Sequence, residues 1–230
     1  MMLTERTWNI LEASVRDFIE TGNPVTSERL YRKYDFGIKP AMIRWELHDL
    51  ARQNYLSQNH PSGGRIPSDK AYKFFVEEIR REMEKETRER GREAEILTGL
   101  LLEGERKKFV RMLAKELKTL GVCYDIEEEM LYGSGFGELL GHLDASINIR
   151  RVVEDFEMIP ERLMEEKDWW EGESDWPQIF IGKSPLTKSR DLSVIVSKME
   201  TKNGESALIL AMGPKRMNYE HSLRLFREIF

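Results

Sequence analysis

The side chains of this chain best suited to chemistry lie between Ile38 and Tyr72, in IKPAMIRWELHDLARQNYLSQNHPSGGRIPSDKAY. Pro40 suits the first position of a helix. Ile43, Leu47, Leu50 and Asn54 then recur at spacings of three and four, placing three apolar residues on one face. At about 100° per residue the opposite face carries Ala41, Trp45, His48 and Arg52, flanked by Met42 and Asp49. An outward tryptophan among small, polar and basic residues calls for a partner. A helix from Pro40 to Gln53 would be about 21 Å long, enough to lie in a major groove. Short strands are expected at Tyr55–Gln58 and Arg65–Pro67, joined by turn chemistry over Asn59–Gly64. A helix followed by a hairpin with a basic flank is the pattern of a winged helix-turn-helix, and the chemistry it suits is recognition of duplex DNA. The candidate contacts are Lys39, Ala41, Met42, Arg44, Trp45, His48 and Arg52 on the helix, with His60, Ser62, Gly64 and Arg65 on the hairpin.

Three further helices must position that face. Thr4 to Gly22 reads as the first, with Trp8, Leu11, Val15, Phe18 and Ile19 inward, Thr4 as N-cap and Gly22 as stop. Asn23-Pro24 breaks the chain, and Thr26 or Ser27 caps a short second helix through Leu30 to Tyr34. After the hairpin, Ser68 caps a helix that aligns Tyr72, Phe75, Ile79 and Met83. Glu84–Glu95, with nine charged residues in twelve, reads as a solvated helix or linker. Gly91, Gly99 and Gly104 argue against one unbroken helix there. Val110, Leu113, Leu117 and Leu120 form a stripe that is either a packed domain helix or a dimer seam. Beyond Gly121, strands are expected at 122–124, 130–132, 179–181, 192–196 and 207–211, with Asn203-Gly204 turning the last pair. Helical patterns cover Phe136–Leu143, Ile149–Phe156 and Tyr219–Ile229.

Other clusters carry weaker chemistry. Gly133-Ser134-Gly135-Phe136-Gly137 has neither the dinucleotide spacing nor a Walker lysine, and reads as a strand-to-helix turn. It also lacks the glycine spacing of a serine-hydrolase elbow. His48, His60, His142 and His221 show no metal-ligand spacing, so no metal or cofactor is expected. Cys123 lies in an apolar run without a basic neighbour and reads as a core residue. Trp169, Trp170 and Trp176 sit in an acidic stretch, where core capping is favoured over a partner surface. No pair of groups presents itself as general acid and base, so an enzyme is not expected.

Charged residues make up 33 % of the 230 and the mean hydropathy is −0.55. No run approaches a membrane span. The N-terminal MMLTERTWN lacks a signal-peptide pattern and the single cysteine fits a reducing compartment, so a cytoplasmic protein is expected. The net charge of −5 is uneven: residues 1–76 hold 11 basic and 9 acidic side chains, leaving 25 and 32 to the remainder. DNA binding therefore asks only that the first third be basic on one face.

Two segments resemble the heat-inducible transcription repressor family, HrcA. Pro40, Ala41, Ile43, Arg44 and Glu46 match its Ser/Pro-Ala-Thr-Ile-Arg-Asn-Glu-Met helix. His60, Ser62, Gly64, Arg65, Ile66, Pro67, Asp69, Lys70 and Tyr72 match its His-Thr-Ser-Ala-Gly-Arg-Ile/Val-Pro-Thr wing and the helix beyond. Near the end, MGPKRMNYEHSLRL resembles its Gly-Pro-x-Arg-Met-Asp/Asn-Tyr segment. Met42 and Trp45 stand where the family shows Thr and Asn, Gly63 replaces an alanine, and Ala71 a glycine. The resemblance implies a GAF-like antiparallel sheet after the winged helix. This chain is shorter than the usual member, and the stretch from Leu120 to Tyr132 is the expected site of deletion.

The expectation is thus an α+β protein. A winged helix-turn-helix DNA-binding domain covers 1–76, a helical connector with a candidate dimer contact 77–120, and a GAF-like regulatory or dimerisation domain 121–230. The resemblance implies a dimeric repressor on an inverted-repeat operator of heat-shock or chaperone genes, with double-stranded DNA as partner and a chaperonin as a further candidate. Two other classes stay open: a ligand-gated winged-helix regulator whose C-terminal domain senses a small molecule, and an enzyme that uses the winged helix as an interaction module.

Overall fold

A computed structural model of the chain describes all residues except 1–2, 59–62, 88, 144–146, 166–169, 171–175 and 201–205. It is an α+β protein in two units, Met1–Glu82 and Met83–Phe230.

The first unit opens with α1 (Glu5–Thr21), capped by the Thr4 side chain on the Thr7 amide and closed by Gly22 at φ +66°. Gly22 takes that left-handed conformation at no steric cost. Then follow α2 (Ser27–Lys33), capped by Thr26, and α3 (Pro40–Arg52), with proline in its first turn. Two-residue strands β1 (Leu56–Ser57) and β2 (Ile66–Pro67) pair antiparallel. Next is α4 (Asp69–Met83), whose N-terminus receives a cap from Ser68 Oγ. Leu11 and Val15 of α1, Leu30 of α2, and Ile43, Leu47 and Leu50 of α3 are all fully buried. Trp8 sits edge-on to Phe74 at 5.2 Å, linking α1 to α4.

The second unit is built on one five-stranded sheet, all antiparallel, in the order β4-β3-β7-β6-β5. Its strands are β3 (Leu120–Asp125), β4 (Met130–Ser134), β5 (Gln178–Ile181), β6 (Leu192–Glu200) and β7 (Ser206–Pro214). All five overlap the expected segments. The expected Asn203-Gly204 turn lies outside the described residues. β3 and β4 join through a short turn over 126–129, within the stretch expected to carry the deletion.

Both faces of the sheet are covered, which is why every residue of β3 is buried. One side holds α5 (Arg92–Leu102), α6 (Arg106–Leu117) and α10 (Tyr219–Ile229). Here Gly121 admits α6 so closely that a Cβ would stand 2.8 Å from the Val110 carbonyl oxygen. The other side holds α7 (Phe136–His142), α8 (Ile149–Glu157) and α9 (Ile159–Glu165), with Leu139, Val152, Ile159, Leu163 and Trp170 packed on Val122, Val194 and Leu210.

Several expectations change here. Residues 77–120 were assigned to a connector, yet from Met83 onward they belong to the second unit, where α6 is one of the sheet's cover helices. Val110, Leu113 and Leu117 are buried in that packing, the domain-helix alternative. Leu120 ends the stripe on β3 rather than on a helix, since Lys118 turns the chain at φ +54°. The glycine cluster is a strand-to-helix turn. Gly135 sits at φ +101°, and a Cβ there would lie 2.4 Å from the Thr119 carbonyl oxygen. Trp170 is buried and donates from Nε1 to the Leu163 carbonyl; Trp176 lies under the Arg227 guanidinium; Trp169 lies outside the described residues. No described helix is long and apolar enough to cross a membrane.

Candidate nucleic-acid interface

Helix α3 is fixed from below by apolar packing and by one carboxylate. Ile43, Leu47 and Leu50 are fully buried, and between them Glu46 is 2 % exposed. Its Oε1 accepts from Arg6 Nε at 3.0 Å and its Oε2 from the Thr7 hydroxyl at 3.0 Å, both on α1. A buried carboxylate is stable only when so partnered. Glu46 matched the family pattern in sequence, and its spacing of three from Ile43 and four from Leu50 puts it on the inward face, but its charge concealed that it would be buried.

With that face committed, the other faces solvent. Trp45 is 61 % exposed and Met42 46 %; Lys39, Ala41, Arg44, His48 and Arg52 are exposed as well. All seven expected helix residues thus lie on one accessible surface. Tyr34 ends α2, and Gly37 at φ +65° donates from its amide to Asp35 Oδ1 to form the turn into α3.

The hairpin is held against the loop between α1 and α2. Val25 and Arg65 exchange both backbone hydrogen bonds, at 2.7 and 2.8 Å. Gly64 is obligatory there: a Cβ would lie 2.7 Å from the backbone of Pro24 and Val25. His60 and Ser62, the expected contacts at the tip, lie outside the described residues.

Arg65 was expected as a DNA contact on the hairpin. It is 9 % exposed, and its Nε has no hydrogen-bond partner among the described residues. Burial, and then the nearby Arg44 guanidinium, holds Arg65 below its ordinary value. Arg44 in turn donates from Nη2 to Glu28 Oε1 at 2.7 Å, across two well-exposed side chains. Glu28, Arg44, Gly64 and Arg65 line one cleft of about 290 Å³. Glu28 was missed in the sequence because it is 16 residues from Arg44 and no local spacing links them.

The remaining candidates for chemistry are structural. Cys123 is fully buried, and burial pushes its thiol up to about 12. His142 Nδ1 lies 2.8 Å from the Glu138 carbonyl, and His221 Nε2 lies 3.1 Å from Glu116. Among the described residues, no three His, Cys, Asp or Glu side chains gather as a metal site.

Residues 68–223 match the model of the HrcA protein C terminal domain. The heat-inducible transcription repressor HrcA of Acetivibrio thermocellus is 44 % identical over 84 residues, that of Desulforudis audaxviator 48 % over 87. These matches cover 36 % and 38 % of this chain and 24 % of each relative, so they span about a quarter of the relatives' length. A crystal structure of a hypothetical protein superposes with a TM-score of 0.74 at 17 % identity, covering 99 % of this chain and 96 % of that one. That likeness concerns the fold alone.

Proposed function

The chain belongs to the HrcA family, and from that premise we propose that it is a DNA-binding transcriptional repressor. In this reading the first unit is a winged helix-turn-helix with α3 as recognition helix and the hairpin as wing. The second unit is a GAF-like regulatory and dimerisation domain. One observation carries it: α3 is anchored by Ile43, Leu47, Leu50 and a buried Glu46, so that Trp45 stands 61 % exposed at the centre of a face with Ala41, His48 and Arg52. An aromatic side chain held out in water on a packed helix suits a thymine methyl or sugar edge.

The protein acts as a dimer on an inverted repeat, one α3 per half-site, because a dimer presents its helices with its own two-fold symmetry. Occupying the promoter of heat-shock or chaperone genes blocks polymerase, in the cytoplasm, and a chaperonin is a candidate modulator. Selection of bound duplexes from a random pool tests the reading. Enrichment of an inverted repeat supports class and symmetry together; no enrichment removes it.

A further inference from the structure

We propose that the cleft between Glu28 of α2, Arg44 of α3 and the hairpin base Gly64-Arg65 is a built site for one backbone phosphodiester of duplex DNA. In it Arg65 is the resident ligand and Glu28 the counter-ion that the phosphate displaces from Arg44. This deepens the DNA-binding reading above and rests on it.

The charges do not close in the free protein. Two guanidiniums line the cleft with a single carboxylate, Glu28, and that carboxylate is bonded to Arg44. Arg65 is left buried, with an orphan Nε and no ion pair among the described residues. A buried cation is costly unless an anion pairs with it. One negative charge is missing, and a phosphodiester carries one. Arginine's planar fork suits two oxygens of such a group.

Geometry keeps Arg65 from leaving. Its backbone is locked to Val25 by two hydrogen bonds, and the contact of Gly64 with the 24–25 backbone seats the hairpin without room to slide. The residue is therefore preorganised, and a side chain already ordered loses little entropy on binding. Arg44 differs: its partner is exposed and so is its own side chain, 67 % against 55 % for Glu28. An exposed pair of this kind is weak, so exchange of Glu28 for a phosphate is readily reversible. The division of labour follows. Arg44 and Arg65 hold the strand, and base reading falls to Trp45, His48 and their neighbours on α3.

The test uses the full chain and a random-sequence duplex, with binding followed by fluorescence anisotropy between about 50 and 200 mM KCl. Arg65→Met should lower the salt slope by roughly 0.9, the value of one phosphate contact. Glu28→Gln should bind about two- to fivefold more tightly, the scale of an exposed ion pair released. A wild-type slope for Arg65→Met, or unchanged or weaker binding by Glu28→Gln, overturns the site. If Arg65→Met does not fold, Arg44→Met and Glu28→Gln, both at exposed positions, must move affinity in opposite directions. Wild-type chain that binds no duplex at all would instead defeat the DNA reading itself. Inorganic phosphate at constant ionic strength separates the sources. If it competes with the duplex at micromolar concentration, the cleft is a free-phosphate site and the assignment to DNA is wrong; if it leaves binding unchanged, the phosphodiester assignment stands.

Discussion

The Thr7 hydroxyl donates to Glu46 Oε2 over 3.0 Å, joining the first turn of α1 to the middle of α3. Because Glu46 is otherwise enclosed, this bond and the one from Arg6 set the rotation of α3 about its axis. Glu46→Ala leaves the Thr7 hydroxyl without its acceptor and the helix without its pin. The expected cost is about 1–3 kcal/mol, read as a lower urea midpoint at unchanged m-value. Stability equal to wild type would mean that apolar packing alone orients α3.

Trp45 makes the opposite prediction. At 61 % exposure it contributes little to the fold, so Trp45→Asn should change stability by no more than about 0.5 kcal/mol. The same substitution should shift the sequences recovered by DNA selection, since a good base contact is worth roughly 1–3 kcal/mol of discrimination. Identical selected sites for both proteins would assign Trp45 no part in reading.

Leu117 ends α6 and is 6 % exposed within the second unit. Leu117→Ala should cost about 2–5 kcal/mol, as for other buried leucines cut back in well-packed cores. Thermal unfolding measures it. A loss that appears only on dilution would place the residue at a subunit contact instead.

The Cys123 thiol gives a pH signature. Burial, with some help from Asp125, raises it from 9.0 to about 12, so the folded state keeps its proton where the unfolded state has lost it. With fewer protons on the unfolded chain, stability must fall as pH rises from about 9 to about 12, by up to about 1.4 kcal/mol per unit. Cys123→Ala should remove that component. Denaturant titrations at pH 8, 9 and 10 would detect it, and parallel curves for the two proteins would contradict it.

If the second unit holds the dimer, a fragment of residues 1–82 should sediment as a monomer. It should also bind an inverted repeat far more weakly than the whole chain, because linking two half-sites raises the effective concentration of the second. A fragment that dimerises stably would move the interface into the first unit.

Much of the α3 surface was legible because helical phase is arithmetic. Three apolar residues at Ile43, Leu47 and Leu50 commit one face, and the exposure of Trp45 and His48 follows. The segments of all five sheet strands were legible for a related reason: apolar runs such as 192–196 and 207–211 have few other uses. What escaped depends on distant pairs. Asp155 accepts from the Lys188 and Ser189 amides and from Arg162 Nη1, a clamp across more than 30 residues on a helix that reads as ordinary. Helix α9, seven residues holding Ile159 and Leu163 inward, is too short to show a period. Arg65 looked like an outward basic flank because nothing in its own segment reveals the loop at Val25 that encloses it.

The position of β7 has a consequence for synthesis. It lies between β3 and β6, so the sheet has no centre until Pro214 has left the ribosome. The first unit is complete by Glu82, and at ~5–20 residues per second the interval between the two is on the order of 10 s. For that time each nascent chain carries a complete first unit and strands β3 and β4 that have no third partner. Until then the open β3 edge is the surface most in need of protection by whatever assists folding.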